Sequence, residues 1–268
     1  MRVPVDSGVV RRNFGRQAGE YERHAVVQRT VAAHLTDLLD ATTWPAAPIL
    51  EVGCGTGLLS RRLQSRRGSA PLILSDLAHA MTCRAVTGSG AGLAVDADAA
   101  ALPFAPSSFG LLASSSVYQW LNCLPSAFAE GARVLVPGGV LAVALFGART
   151  LHELRASHRR AREVCRTQGP SHLLEFAAEA EVRDAVTAAG LQLEAFESAE
   201  LIEMHPDVPA LLRGLKGLGA SNAAAVRPAG LTPRQVMTRM LAFYQEEFGT
   251  PAGIPATYQV FYLLARRP

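Results

Sequence analysis

Lysine is almost absent from this chain. Of its 26 basic residues only Lys216 is a lysine, and the other 25 are arginines. The net charge is +3, and no Lys/Arg block exceeds two or three residues, so the footprint of a nucleic-acid-binding protein is missing. Cysteine is also scarce. Cys54, Cys83, Cys123 and Cys165 stand far apart, with no C-x-x-C spacing and no histidine at zinc-finger spacing, so neither a metal site nor a disulfide framework is expected. The longest near-continuous apolar stretch, Val140 to Phe146, is too short to cross a bilayer. The segment from Met1 to Val10 has no apolar core of a signal peptide, so a soluble, cytoplasmic protein is expected. What the chain does have is bulk: 268 residues, 49% apolar and only 18% charged, which excludes disorder and allows a core without covalent staples.

Along that length, hydrophobic spacing predicts a helical region over 14–39, with Val26, Val27, Val31, Leu35, Leu38 and Leu39 in helical register. A Pro-containing break leads to a short buried strand, Ile49 to Val52, then to a glycine-rich turn and a helix from Leu58. Further strands are expected at 72–75, 91–95, 111–115 and 140–146, with helices between them. Such alternation indicates a parallel α/β sheet. Beyond Phe146 the pattern changes. Helices are expected at 150–166 and 176–189, the second stopped by Gly190, followed by an extended segment over 191–204. Two more helices, 207–218 and 232–248, precede a last strand at 257–265. They read as a lid spanning 206–250, inserted before the final strand of a single domain whose core is 48–146.

The turn Glu51-Val-Gly53-Cys-Gly55-Thr-Gly57 is the central motif. A strand entering such a turn lets a ligand approach the backbone at the carboxyl edge of the sheet. Position 58 is Leu, so the third glycine of the dinucleotide-binding pattern is missing, which argues against a nicotinamide-dependent oxidoreductase. Asp76 closes the second strand, where a carboxylate suits a ribose diol. Asp98 stands just before Leu102-Pro103-Phe104, with Asp96 as a nearby rival.

Together these elements resemble the class I S-adenosylmethionine (SAM) methyltransferases: a Rossmann-like α/β fold, seven strands and mostly parallel. The ends of the chain are more selective. Phe14-Gly-Arg16, Tyr21, His24-Ala25 and Gln28 resemble the amino-terminal helix of the malonyl-[acyl-carrier-protein] O-methyltransferases. So do Ser114 to Trp120, Thr150 to Arg155, Leu212 to Ser221, Leu231 to Arg234, and Tyr258 with Phe261-Tyr262. The sequence departs from many relatives at Gly110 and Ser115, and Glu175 reverses a charge after Gly169.

The resemblance implies SAM as methyl donor and malonyl-acyl-carrier protein (or malonyl-CoA) as acceptor; from composition and spacing no metal, no nucleic acid and no membrane are expected, and a monomer is the expected state. It assigns cofactor binding to Glu51, Gly53, Gly55, Gly57, Asp76, Leu77, Asp98, Ala99, Ser115 and Gln28. Tyr21, Gln119, Trp120 and Lys216 become the catalytic candidates, with Arg16 and Arg155 as rival cations for the acceptor carboxylate. His24 would share the helical face of Tyr21 and Gln28. An acidic carrier would meet Arg155, Arg159, Arg160, Arg162, Arg213 and Arg234. A methyltransferase acting on a quinone or another small molecule is the alternative.

Overall fold

The computed structural model describes residues 4–169, 171, 173–225 and 232–268, so Leu231 and the stretch 226–231 of the expected lid lie outside the described residues. Seven strands form one sheet: β1 (Ile49–Val52), β2 (Leu72–Asp76), β3 (Leu93–Asp96), β4 (Phe109–Ser115), β5 (Leu135–Phe146), β6 (Gln192–His205) and β7 (Ile254–Arg266). Their order is β3-β2-β1-β4-β5-β7-β6. Only β7 is reversed, antiparallel to both β5 and β6. The order switches direction between β1 and β4, and ligands bind at such a crevice outside the carboxyl ends of the strands.

Burial explains the strand sequences. All four residues of β1 are buried, which requires an unbroken apolar run relieved only by Glu51. On β4 and β5, Leu111, Ala113, Val140, Ala142 and Ala144 pack on one face with Val31 and Leu35. The alternate residues Leu112, Leu141, Val143 and Leu145 pack on the other with Phe128 and Val182. β5 begins five residues earlier than its apolar run indicates, because Val136-Pro-Gly-Gly139 continues the strand through a register shift opposite Phe109 and Leu111, with Gly138 at φ 75°.

The helices are α1 (Ser7–Gln17), α2 (Tyr21–His24), α3 (Val26–Asp40), α4 (Leu58–Gln64), α5 (His79–Ser89), α6 (Leu124–Val134), α7 (His152–Val164), α8 (Glu179–Ala188), α9 (Val208–Gly217) and α10 (Arg234–Phe248). The expected helical region at 14–39 is thus three helices. Residues 18–20 break it first, and Ala25, with φ −85° and ψ 46°, breaks it again. Upstream, α1 is capped by Asp6, whose Oδ1 accepts from Val9 N at 3.0 Å. Its leading strand segment is clamped to the body: Asn122 exchanges two hydrogen bonds with the Val5 backbone, and Asp6 N donates to Ala223 O at 2.7 Å. α9 and α10 lie between β6 and β7 as the sequence indicates. α10 packs along α7, where the Arg160 guanidinium stacks 3.9 Å above Phe243 and faces Glu246 and Glu247. Among the described residues no helix is long and apolar enough to cross a membrane.

Candidate active site

Each glycine after β1 is required for a different reason. Gly53 sits at φ 71°, and a Cβ there would lie 2.2 Å from Val117 Cγ2. Gly57, at φ 91°, lets α4 approach α5, with Ala85 Cα 3.2 Å from where a Cβ would be. Gly55, at φ 54°, meets nothing within 4 Å, and its backbone lines a cavity. The end of β2 fixes this turn: Gly53 N and Cys54 N both donate to Ser75 O, and Gly55 N donates to Asp76 Oδ2 at 2.9 Å. The other Asp76 oxygen accepts from Ala78 N at 2.8 Å. Burial raises the pKa of the Asp76 carboxyl, and the amides of Ala78 and Gly55 oppose that rise.

The cavity beside this turn brings together Gly53, Gly55, Asp76, Leu77, Asp98 and Ala99. Asp98 Oδ1 accepts from Ala100 N at 2.9 Å, which orients its carboxylate. Three other expected cofactor residues lie outside the lining. Glu51 is buried beneath the turn, Gly57 is spent on the contact between helices, and Ser115 gives its place on the wall to Val117. The roof comes from α1, through Val10, Arg11 and Phe14. Of these only Phe14 is visible in the motifs, because α1 is a polar helix that buries Val9 alone. Carboxylates at Asp76 and Asp98, an open glycine backbone and apolar walls fit a nucleoside with a free diol.

A second cavity adjoins the first, and Phe14, Tyr21 and Trp120 line both. The Phe14 ring meets Trp120 edge-on at 5.4 Å between centroids and Tyr21 at 6.4 Å. Burial pushes the Tyr21 phenol well above its ordinary pKa, so it keeps its proton. Gln28 lines this second cavity, and its buried Oε1 has no hydrogen-bond partner, as suits an acceptor waiting for a cationic group. Gln119 also lines it. Its Nε2 donates to Ser116 O at 2.7 Å and its Oε1 accepts from Phe146 N, which leaves one N–H for a ligand.

Among the described residues, the cation that lines this cavity is Arg155. Burial works against its charge, while Glu175 and Glu153 favour it, and its Nη2 donates to Ala148 O. Lys216 lines neither cavity. It is exposed on α9, where helical spacing turns Leu215 and Leu218 inward instead. Arg16 is likewise exposed on α1. His24 does not follow Tyr21 and Gln28, since the break at Ala25 turns it onto α9. A Cβ at Gly217 would lie 2.2 Å from the His24 ring. Among the described residues no group of three or more His, Cys, Asp or Glu could hold a metal ion.

Comparison with known proteins fits this geometry. A methyltransferase domain family matches residues 50–143. The malonyl-[acyl-carrier protein] O-methyltransferase of Geobacter sulfurreducens is 43% identical over 98% of this chain and 100% of its own length. The chain belongs to this family of O-methyltransferases. It also shares 34% identity, over 100% of its length, with 52% of the biotin biosynthesis bifunctional protein BioHC of Cellvibrio japonicus. Among solved structures, the YcgJ protein of Bacillus subtilis matches with TM-score 0.60 and 16% identity, covering 88% of this chain and 98% of that one. Geranyl diphosphate C-methyltransferase from Streptomyces coelicolor, solved with S-adenosyl-L-homocysteine, matches with TM-score 0.52 and 14% identity, covering 88% and 79%. At those identities the structures carry the fold alone, a Rossmann-like α/β sheet.

Two peculiarities of this O-methyltransferase now have structural accounts. Gly110 is forced by the chain passing over β4, since a Cβ there would lie 2.3 Å from Pro45 O. The arginines of α7 divide: Arg160 is taken up by α10, while Arg155, Arg159 and Arg162 face an open groove.

Proposed function

We propose that the protein transfers the methyl group of SAM to the free carboxylate of a malonyl thioester carried by acyl-carrier protein, giving the methyl ester used in biotin biosynthesis. The observation that carries this reading is the wall of Phe14, Tyr21 and Trp120, shared by a nucleoside-type cavity and a largely apolar one that holds Arg155. Bound SAM supplies an electrophilic methyl on a sulfonium. In the transfer, a C–O bond to the acceptor forms as the C–S bond breaks.

The residues then have limited tasks. A carboxylate with a reference pKa near ~4 is already ionised at neutral pH, so no general base is needed. Tyr21 retains its proton and acts as wall and donor. The aromatic faces of Tyr21 and Trp120 tolerate a cationic sulfonium. Asp76 and Asp98 hold the nucleoside, and Gln28 Oε1 accepts from the ammonium at its other end. Arg155 orients the acceptor carboxylate while the apolar lining excludes water. Alignment of this kind contributes up to about 7–11 kcal/mol when geometry is good. The reading includes a cytoplasmic, monomeric enzyme.

The test is transfer of tritium from methyl-labelled SAM to purified malonyl-acyl-carrier protein, with malonyl-CoA in parallel. Label in the carrier fraction is expected. SAM binding with no label on either thioester sinks the proposal.

A further inference from the structure

Beside the acceptor cavity runs a larger depression along α7, of about 1020 Å³. Arg155, Leu173 and Phe176 line both, so these three side chains form the boundary between them, and a substrate arm that passes from one to the other makes this boundary its doorway. Beyond the doorway the groove is cationic: Arg159, Arg162 and Arg166 line it with Arg155, against Glu163 and Glu175. These arginines have different duties. Arg155 donates through Nη2 to Ala148 O, which leaves its other N–H groups for the acceptor carboxylate, and Arg162 donates to the carbonyls of Thr167 and Gly169, holding the turn after α7. Arg159, exposed and one helical turn from Arg155, forms no ion pair among the described residues. The turn itself places Arg166 at φ 50°, a left-handed conformation that side chains other than glycine seldom adopt.

A malonyl thioester is the end of a phosphopantetheine arm, whether the arm belongs to a carrier protein or to coenzyme A. With the carboxylate at Arg155, the arm must leave the acceptor cavity through the doorway. Its amide and methylene portion would meet Leu173 and Phe176, and its phosphate would emerge among arginines. Resting on the function proposed above, we infer that the groove along α7 is the seat of the phosphopantetheine arm, with Arg159 and Arg166 binding its phosphate. Arg159 lies about 6 Å further along the helix than Arg155, which carries the positive surface outward from the doorway. The carrier's own helices then need to present only the attachment point at the groove mouth, and Arg160 on the far face of α7 takes no part.

The experiment compares malonyl-pantetheine, malonyl-phosphopantetheine, malonyl-CoA and malonyl-acyl-carrier protein as acceptors for wild type, Arg159→Gln and Arg159→Lys. Wild type should favour malonyl-phosphopantetheine over malonyl-pantetheine at least tenfold in kcat/KM, through KM. Arg159→Gln should collapse that ratio towards one, and Arg159→Lys should restore most of it by returning the charge. A loss that falls on both acceptors alike, or no loss, overturns the inference. If the carrier is affected and coenzyme A is not, the groove serves the carrier-borne arm; equal effects assign it to both sources. Calorimetric titration with phosphopantetheine and pantetheine decides the matter independently of turnover. Tighter binding of the phosphorylated compound by wild type, lost in Arg159→Gln, supports the groove even if no malonyl thioester is methylated. Equal binding of the two compounds refutes it even if methylation proceeds.

Discussion

Glu51 gives the sharpest stability prediction. It lies beneath the glycine turn, 1% exposed, and its Oε2 has no hydrogen-bond partner. Burial lifts its pKa from 4.5 to about 8; the charge of Asp76 adds to the rise, while Ser60 and Arg61 oppose it. The folded protein therefore holds Glu51 as the neutral acid at pH 7, whereas the unfolded chain would ionise it. Stability from this group is complete below the unfolded value and is lost as pH rises towards 8. Linkage puts the loss between pH 5 and pH 8 at about 3.5 kcal/mol. Glu51→Gln preserves the shape of the neutral acid and cannot ionise. Urea unfolding of both proteins at pH 5, 6, 7 and 8 should show the variant gaining on wild type by roughly that amount across the range. Parallel stability curves would mean that Glu51 is ionised in the fold, and the reasoning would fail.

Four further outcomes follow from the same geometry. Gly53→Ala should cost about 2–4 kcal/mol in unfolding free energy through the Val117 clash and the positive φ. Gly55→Ala, in open space, should cost only about 1–2 kcal/mol yet weaken SAM binding at least tenfold by calorimetry; similar effects of the two on stability would contradict these separate roles. Asp76→Asn should raise the dissociation constant for SAM by a factor corresponding to about 1.5–3 kcal/mol, the value of a charged hydrogen-bond acceptor, and an unchanged constant would remove Asp76 from the site. Arg155→Gln should lower kcat/KM for the malonyl acceptor at least a hundredfold with SAM affinity retained, whereas Lys216→Gln should change it less than threefold. The reverse order would return the acceptor to the lid lysine.

The central strands and the cofactor turn were legible because burial on both faces demands apolar runs, and because a strand, an acid, three glycines and a helix stand in register over residues 49–58. The far end of the site was less so. Nothing marks Ala25 as a break, since alanine favours helix, and His24 could be placed only once α9 was seen against it. The roof helix α1 carries arginines and asparagine around Val10 and Phe14, so its overall polarity hides the few apolar residues that face the cavity. Lys216 stood out by composition, but composition does not fix the direction of a side chain. The spacing of Leu215 and Leu218 held the information that it points to solvent. Arg155 was one candidate among three, and burial separates it from the others.

The central claim is esterification of a carboxylate at the end of a thioester arm. Mass spectrometry of malonyl- and acetyl-acyl-carrier protein after incubation with enzyme and SAM tests it most directly. The account predicts one added methyl on the malonyl carrier, removed as methanol by mild base, and none on the acetyl carrier, which has no free carboxylate. Methylation of the acetyl carrier, or a base-stable methyl on the malonyl carrier, would contradict it.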